Sequence, residues 1–222
     1  MYFIFHPIAS LNHFVARLVT DQISFFLSVI FFVILALNYK KPLWQTLDEI
    51  VSNWAVNSKE NFIKKRSNEL SMFGNAIFHI LLSIVLAVLF FVIKHKISIV
   101  ISILFTLIFS WGLNRCMKLI FKRERPLSTP HSALRTQIRR SYCFPSGHVM
   151  ASISVYFFCA VLLQGLITFI PWYLVALVIS FFVVMTRIYL NHHYFTDVLG
   201  GICMGIFCLC ISIWFYFFVG LI

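Results

Sequence analysis

Long blocks of apolar residues, separated by short polar stretches, dominate this chain. Six of the blocks approach the roughly 20 residues that an α-helix needs to cross a bilayer. The pattern predicts transmembrane helices over residues 22–39, 72–93, 97–121, 146–166, 167–190 and 197–222. The predicted fold class is therefore all-α, a polytopic membrane protein with one membrane-embedded domain over residues 1–222. An even number of spans places both termini on the same side of the membrane.

The composition fits a bilayer rather than a soluble core. The 222 residues are 61% hydrophobic and only 11% charged, whereas about 25% of residues are charged in typical soluble domains. The net charge of +11 comes largely from Lys and Arg between the apolar blocks, which favours anionic lipid and phosphate over nucleic acid as partners. The six cysteines form no C-x-x-C pair, so we interpret them as small apolar residues rather than a disulfide or metal framework.

Two connections between the apolar blocks are long. In residues 40–71, apolar positions that include Leu43, Leu47, Ile50 and Trp54 recur at helical spacing, which predicts an amphipathic helix lying in the membrane interface. A solvated helical linker is the alternative. The second connection, over 122–145, is strongly basic and carries a single acid.

Three short polar motifs lie at the edges of apolar blocks, where ionisable groups are costly unless they are paired or used. They are Lys118-x6-Arg125-Pro126, Pro145-Ser146-Gly147-His148 and Arg187-x5-His193-x3-Asp197. Taken singly, each has a structural explanation: a snorkelling lysine, a helix cap and an ion pair one helical turn apart. Because successive helices alternate in direction, however, all three motifs are expected at one membrane face.

Such a cluster has the chemistry of a phosphate site. Lys118, Arg125 and Arg187 would neutralise the phosphoryl oxygens as charge builds during transfer. Ser146 and Gly147 would offer a hydroxyl and backbone N–H groups at a helix N-terminus, which is a natural anion site.

The remaining residues of the motifs predict covalent catalysis. Asp197, one helical turn beyond His193, would accept a hydrogen bond from its Nδ1 and leave Nε2 to attack phosphorus. His148 would then protonate the leaving alkoxide as a general acid.

The three motifs resemble the signature of the type 2 phosphatidic acid phosphatase superfamily, whose pattern is K-x6-R-P, P-S-G-H and S-R-x5-H-x3-D. Their order and spacing match over residues 118–197, and the six-helix layout extends the resemblance over most of the chain. Thr186 replaces the family's usual serine, and the adjacent His192 is interpreted as a bystander. The resemblance implies a phosphohistidine intermediate on His193, with no metal and no other cofactor.

The expected function is hydrolysis of a phosphomonoester or diphosphate on a membrane lipid. The resemblance suggests undecaprenyl diphosphate, phosphatidylglycerophosphate or phosphatidic acid as substrates, with lipid A 1-dephosphorylation or transfer to a lipid acceptor as alternatives. A diphosphate would suit the additional cations Arg135, Arg139 and Arg140. A non-enzymatic transporter or scaffold is the alternative of a different class, and no obligate protein partner is expected.

The orientation in the membrane is predicted differently by two arguments. Counting Lys and Arg places the side that holds the 40–71 and 122–145 connections in the cytoplasm. The resemblance instead implies a site on the outer or lumenal face, with both termini in the cytoplasm. We follow the resemblance and expect a bacterial inner (plasma) membrane protein whose site faces the periplasm or exterior.

Overall fold

The computed structural model describes residues 22–60, 62–126 and 142–220, and the elements of these ranges are all helical. The helices are α1 (Gln22–Asn38), α2 (Pro42–Asn57), α3 (Phe62–Lys65), α4 (Ser67–Leu70), a 3₁₀ turn (Ser71–Gly74), α5 (Ala76–Lys94), α6 (Ile97–Phe121), α7 (Gly147–Gln164), α8 (Trp172–Tyr189) and α9 (Phe195–Gly220). Helices α5 to α9 are each long and apolar enough to cross a membrane. The pair α1 and α2 passes the same test together but is bent by 95°. The described residues thus contain five spans, or up to six, in agreement with the predicted all-α membrane fold.

Helix α7 forms the centre of the bundle, and most of its side chains are buried. Helix α9 approaches it closely because glycines face it: a Cβ added to Gly205 would lie 2.8 Å from Cβ of Ile153. Small residues allow membrane helices to pack at short range. A short connection joins α7 to α8, and Gln164 closes it by donating to the Thr168 carbonyl at 3.0 Å.

Helix α2 is the predicted amphipathic helix, and it packs on the bundle instead of running freely through solvent. Its exposed face carries Leu43, Ile50 and Trp54, which are 69%, 56% and 48% exposed. Asp48 and Ala55 are buried on the opposite face. The sharp bend after α1 therefore lays α2 across the end of the bundle, in the position expected of an interfacial helix.

Contacts at the two ends of α1 show which end of the bundle holds the three motifs and which holds the ends of the described chain. Tyr39, just after α1, stacks on Phe144 beside the second motif, with ring centroids 5.3 Å apart. At the other end of α1, the ring of Phe25 lies 4.9 Å from that of Trp214, late in α9. Both ends of the described chain therefore lie away from the three motifs.

Candidate active site

The three motifs meet at one end of the bundle. The backbone N–H of Ser146, before α7, donates to the carbonyl of Asp197 in the first turn of α9 at 2.9 Å. Arg125, beyond the end of α6, donates from Nη1 to the carbonyl of His192 at 2.9 Å. The end of α6, the start of α7 and the start of α9 are thus joined by direct hydrogen bonds, as helix alternation predicts.

The second motif forms the entry to α7. The hydroxyl of Ser146 is buried and has no hydrogen-bond partner within the described part of the chain. Gly147 lies close to Asn114, since a Cβ added there would lie 2.7 Å from Oδ1 of the Asn114 side chain. Asn114 in turn donates from Nδ2 to the carbonyl of Pro145 at 3.2 Å. This asparagine lies outside the three motifs and supports the loop that presents Ser146.

His148 follows at the start of α7 and contacts Asn75 at the start of α5. Its Nε2 lies 3.0 Å from Oδ1 of the Asn75 side chain. An amide oxygen only accepts hydrogen bonds, so Nε2 carries the proton in this pair. Asn75 therefore fixes the Nε2 proton and the ring orientation of the predicted acid, and the three motifs gave no sign of it.

His193 and Asp197 are adjacent, although the helical geometry expected for them is wrong. His193 lies in the turn before α9 rather than on a helix, as does His192. Nδ1 of His193 is 3.5 Å from Oδ2 of Asp197, longer than a hydrogen bond, and no described group bonds it. Contacts of this kind commonly tighten only when a substrate binds.

The surroundings of His193 keep its imidazole neutral. The side chain is almost completely buried. Burial first, and then the charges of Arg125, Lys118 and Arg187, hold its pKa well below the ordinary 6.5. A neutral imidazole has the lone pair that a nucleophile requires, so the environment suits the predicted attack on phosphorus.

Asp197 takes its strongest contacts from a residue that lay unrecognised inside the first motif. Arg123 donates from Nη1 to Oδ1 of Asp197 at 2.7 Å, and from Nη2 to Oδ2 of Asp48 at 2.7 Å. Burial opposes the charge of Arg123, but the two carboxylates together raise its pKa above the ordinary value. The backbone N–H of Tyr194 also donates to Asp197 Oδ2 at 3.0 Å. Asp197 is thus held by a bridged ion pair as well as by its position on α9.

The three predicted phosphate-binding cations surround the histidines at different depths. Arg187 is 3% exposed, and its Nε and Nη2 both lie 3.4 Å from Oγ1 of Thr186. The Thr186 hydroxyl donates to the carbonyl of Val183 at 2.7 Å, so this hydroxyl links Arg187 to the backbone of α8. Lys118 makes no hydrogen bond to the described residues and faces a cavity. Arg135, Arg139 and Arg140 lie outside the described residues.

That cavity, of about 350 Å³, leads to the site between α5, α6 and α7. Lys118, Gly147 and His148 form its polar end, and Trp111 and Leu119 contribute apolar wall. Arg115, one turn before Lys118, adds a cation that lies outside the three motifs. The cavity combines a charged end with apolar flanks, as a lipid head group requires.

Comparison with known proteins agrees with this arrangement. The model of the PAP2 superfamily matches residues 76–220. Phosphatidylglycerophosphatase B of Bacillus subtilis (strain 168) is 30% identical over 190 residues, covering 80% of this chain and 87% of that protein. The crystal structure of a transmembrane PAP2-type phosphatidylglycerolphosphate phosphatase from Bacillus subtilis superposes with a TM-score of 0.75 at 28% identity, covering 88% of this chain and 95% of that one. The chain therefore belongs to the PAP2 superfamily and is an integral membrane lipid phosphatase.

Proposed function

We propose that the protein removes the terminal phosphate of a phosphatidylglycerophosphate-like lipid through a phosphohistidine on His193. The observation that carries this proposal is a buried, neutral His193 that lies against Asp197 and beneath the charges of Lys118, Arg125 and Arg187. The buried Ser146 hydroxyl, which has no described partner, would bind a phosphate oxygen. These roles rest on the geometry together with the family motifs.

In the first step, Nε2 of His193 attacks phosphorus and the bond from phosphorus to the lipid oxygen breaks. The proton of His148 goes to that leaving oxygen, so the lipid departs as an alcohol. The phosphorylated ring keeps the proton on Nδ1 and becomes cationic, and the carboxylate of Asp197 stabilises it. The three cations bind the phosphoryl oxygens throughout.

In the second step, water attacks the phosphohistidine. His148, now neutral, takes a proton from that water while the bond from Nε2 to phosphorus breaks. Inorganic phosphate leaves and both histidines return to their starting protonation states.

The position of Arg115 favours a lipid with two phosphate groups over phosphatidic acid. Arg115 and Lys118 line the same cavity, and Arg115 lies about 4.5 Å further from the site end of α6, at 1.5 Å rise per residue. In phosphatidylglycerophosphate the phosphodiester lies nearer to the acyl chains than the terminal phosphate does. Lys118 would then meet the terminal phosphate and Arg115 the phosphodiester.

Trapping the intermediate tests the reaction. We expect the wild-type protein, purified in detergent, to release phosphate from phosphatidylglycerophosphate and to form an acid-labile, base-stable phosphoenzyme on rapid quenching. His193→Ala should lose both, and the neighbouring His192→Ala should keep both. A labelled phosphoenzyme in His193→Ala would overturn the assignment of the nucleophile.

A panel of lipids tests the substrate. Phosphatidylglycerophosphate, undecaprenyl diphosphate, phosphatidic acid and lipid A should be hydrolysed with the first preferred, and Arg115→Gln should raise KM for it more than for phosphatidic acid. The matched control is Lys122→Gln, an exposed cation beyond the same helix. Preference for lipid A, or phosphate transfer to a lipid acceptor in place of water, would refute this choice of substrate.

We further infer a bacterial inner-membrane location with the site facing the exterior. Two of the cations that conflict with this orientation are bound within the protein: Arg123 to two carboxylates, and Lys64 to the carbonyls of Val56 and Ser58. Such residues are weaker topology signals than free ones. A C-terminal tag that proteases reach only from outside the cell would reverse the orientation.

A further inference from the structure

Helix α2 presents two polar side chains to the segment that carries the nucleophile. Asp48 and Ser52 are one helical turn apart and therefore lie on the same face. Asp48 is 3% exposed. The opposite face of α2 carries the exposed apolar residues described above, so this polar pair belongs to its protein-facing side.

Asp48 binds the C-terminal end of the segment that carries the nucleophile, residues 191–197. Its Oδ1 accepts the backbone N–H of Thr196 at 2.8 Å, and its Oδ2 accepts the Thr196 hydroxyl at 2.8 Å. Oδ2 also accepts Nη2 of Arg123, whose Nη1 reaches both Thr196 and Asp197 at 2.6 and 2.7 Å. One buried carboxylate thus fixes the residue before Asp197 and the arginine that binds Asp197.

Ser52 binds the N-terminal end of the same segment. Its hydroxyl donates to Oδ1 of Asn191 at 3.0 Å. Asn191 has a left-handed backbone, with φ of 50°, and it turns the chain from α8 towards His192 and His193. Asparagine tolerates this conformation better than most residues. Because Ser52 binds the Asn191 side chain, it holds the turn that positions His193.

We propose that Asp48 and Ser52 of α2 are positioning residues for the reaction, which hold the turn from Asn191 to Asp197 so that His193 and Asp197 face each other. Neither residue touches the reacting phosphate. The inference rests on the proposed function, because it assigns α2 a role in aiming the His193 nucleophile.

The charge of Asp48 also matters. Arg123 alone would neutralise Asp197 and weaken it as a partner for the cationic phosphohistidine. With Asp48 present, two carboxylates share one guanidinium, and the cluster keeps a net negative charge beside His193. Asp48 therefore allows Arg123 to hold Asp197 without cancelling its charge.

The test compares matched variants of the full chain with phosphatidylglycerophosphate in mixed micelles. Asp48→Asn is paired with Glu49→Gln, which removes the same charge from the exposed neighbouring position. Ser52→Val is paired with Ser52→Thr, which has the same shape but keeps the hydroxyl. Assays run well below the melting temperature of each variant, with folded protein quantified, and wild type and His193→Ala are included.

We expect Asp48→Asn to lower kcat about tenfold or more while KM changes less than about threefold, since misplacing a reacting group acts on the chemical step. Ser52→Val should also lower kcat, and Ser52→Thr should restore it. Glu49→Gln should match wild type.

Wild-type kcat in both Asp48→Asn and Ser52→Val, alongside an inactive His193→Ala, would overturn this inference alone. Losses that follow only the amount of folded protein, or equal losses in Ser52→Thr and Ser52→Val, would also overturn it by indicating a purely structural role. Absence of phosphate release from wild type would overturn the proposed function and this inference with it.

Discussion

Gly201 of α9 lies directly behind the loop that carries Ser146, the proposed phosphate ligand, and adding a single methyl group there should damage the proposed site. A Cβ at this position would lie 2.8 Å from the carbonyl oxygen of Ser146 and 3.1 Å from Cβ of Val149. The first neighbour is backbone, which cannot rotate away. Reaching an ordinary contact of 3.4 Å requires the loop and α9 to separate by about 0.6 Å.

The size of the effect follows from two opposing terms. Overpacking of this kind costs about 1–3 kcal/mol, while replacing glycine by alanine within a helix returns up to about 1 kcal/mol. We therefore expect Gly201→Ala to fold but to melt at a lower temperature. Displacement of the Ser146 loop by about half an ångström should also lower kcat, by about tenfold, because a shift of about 1 Å in a reacting group can cost a hundredfold.

The assay measures thermal unfolding in detergent together with kcat and KM for phosphatidylglycerophosphate. Gly112→Ala is the matched control, since an added Cβ there meets nothing within 4 Å and gains the same helix propensity. If Gly201→Ala and Gly112→Ala behave alike in both melting temperature and kcat, the close approach of α9 to the loop does not govern the site.

Two further predictions concern the histidines. Asn75→Ala should lower kcat between a few-fold and about tenfold, because it removes one hydrogen bond worth about 0.5–1.5 kcal/mol from His148. Asn75 makes no side-chain capping bond to α5, so the helix should be unaffected. If kcat of Asn75→Ala equals that of the surface variant Asn53→Ala, Asn75 does not have this role. The depressed pKa of His193 predicts that its imidazole stays neutral as the pH falls through 6.5 and protonates only well below that value. Nitrogen-15 NMR of labelled histidines, with the signal assigned by its loss in His193→Ala, measures this, and a midpoint at or above 6.5 would contradict it.

The membrane fold could be predicted from the sequence because each membrane-spanning helix requires a continuous apolar segment of about 20 residues. Apolar segments of that length are uncommon in soluble domains. The grouping of the motifs followed from helix alternation. Sequence spacing was a poorer guide to local geometry: the interval between His193 and Asp197 suggests one helical turn, but His193 lies in the turn before α9. A four-residue interval is equally compatible with a residue just outside a helix.

The residues that support the site, Asp48, Asn75 and Asn114, could not be predicted from the sequence for a different reason. Asp48 lies 75 residues before Arg123 and 148 before Thr196 in the chain, so no local pattern links them. One signal was available, because the chain has only seven acidic residues and two of them, Asp48 and Glu49, lie in the predicted amphipathic helix. Asn75 and Asn114 gave no such signal, since neutral asparagines are common near helix ends.

Around the cavity between α5, α6 and α7, the wall that would contact the lipid and the proposed catalytic residues belong to different helices. Its distinctive wall, with Trp111, Arg115 and Leu119, belongs to α6, whereas the proposed nucleophile, acid and carboxylate are carried by α7, α9 and the turn before α9. Changes in lipid preference can therefore accumulate on one helix without altering the reaction. For protein engineering, this makes the cavity-facing residues Trp111, Arg115 and Leu119 of α6, but not the proposed phosphate ligand Lys118, the place to retune substrate range while the phosphate chemistry is kept intact.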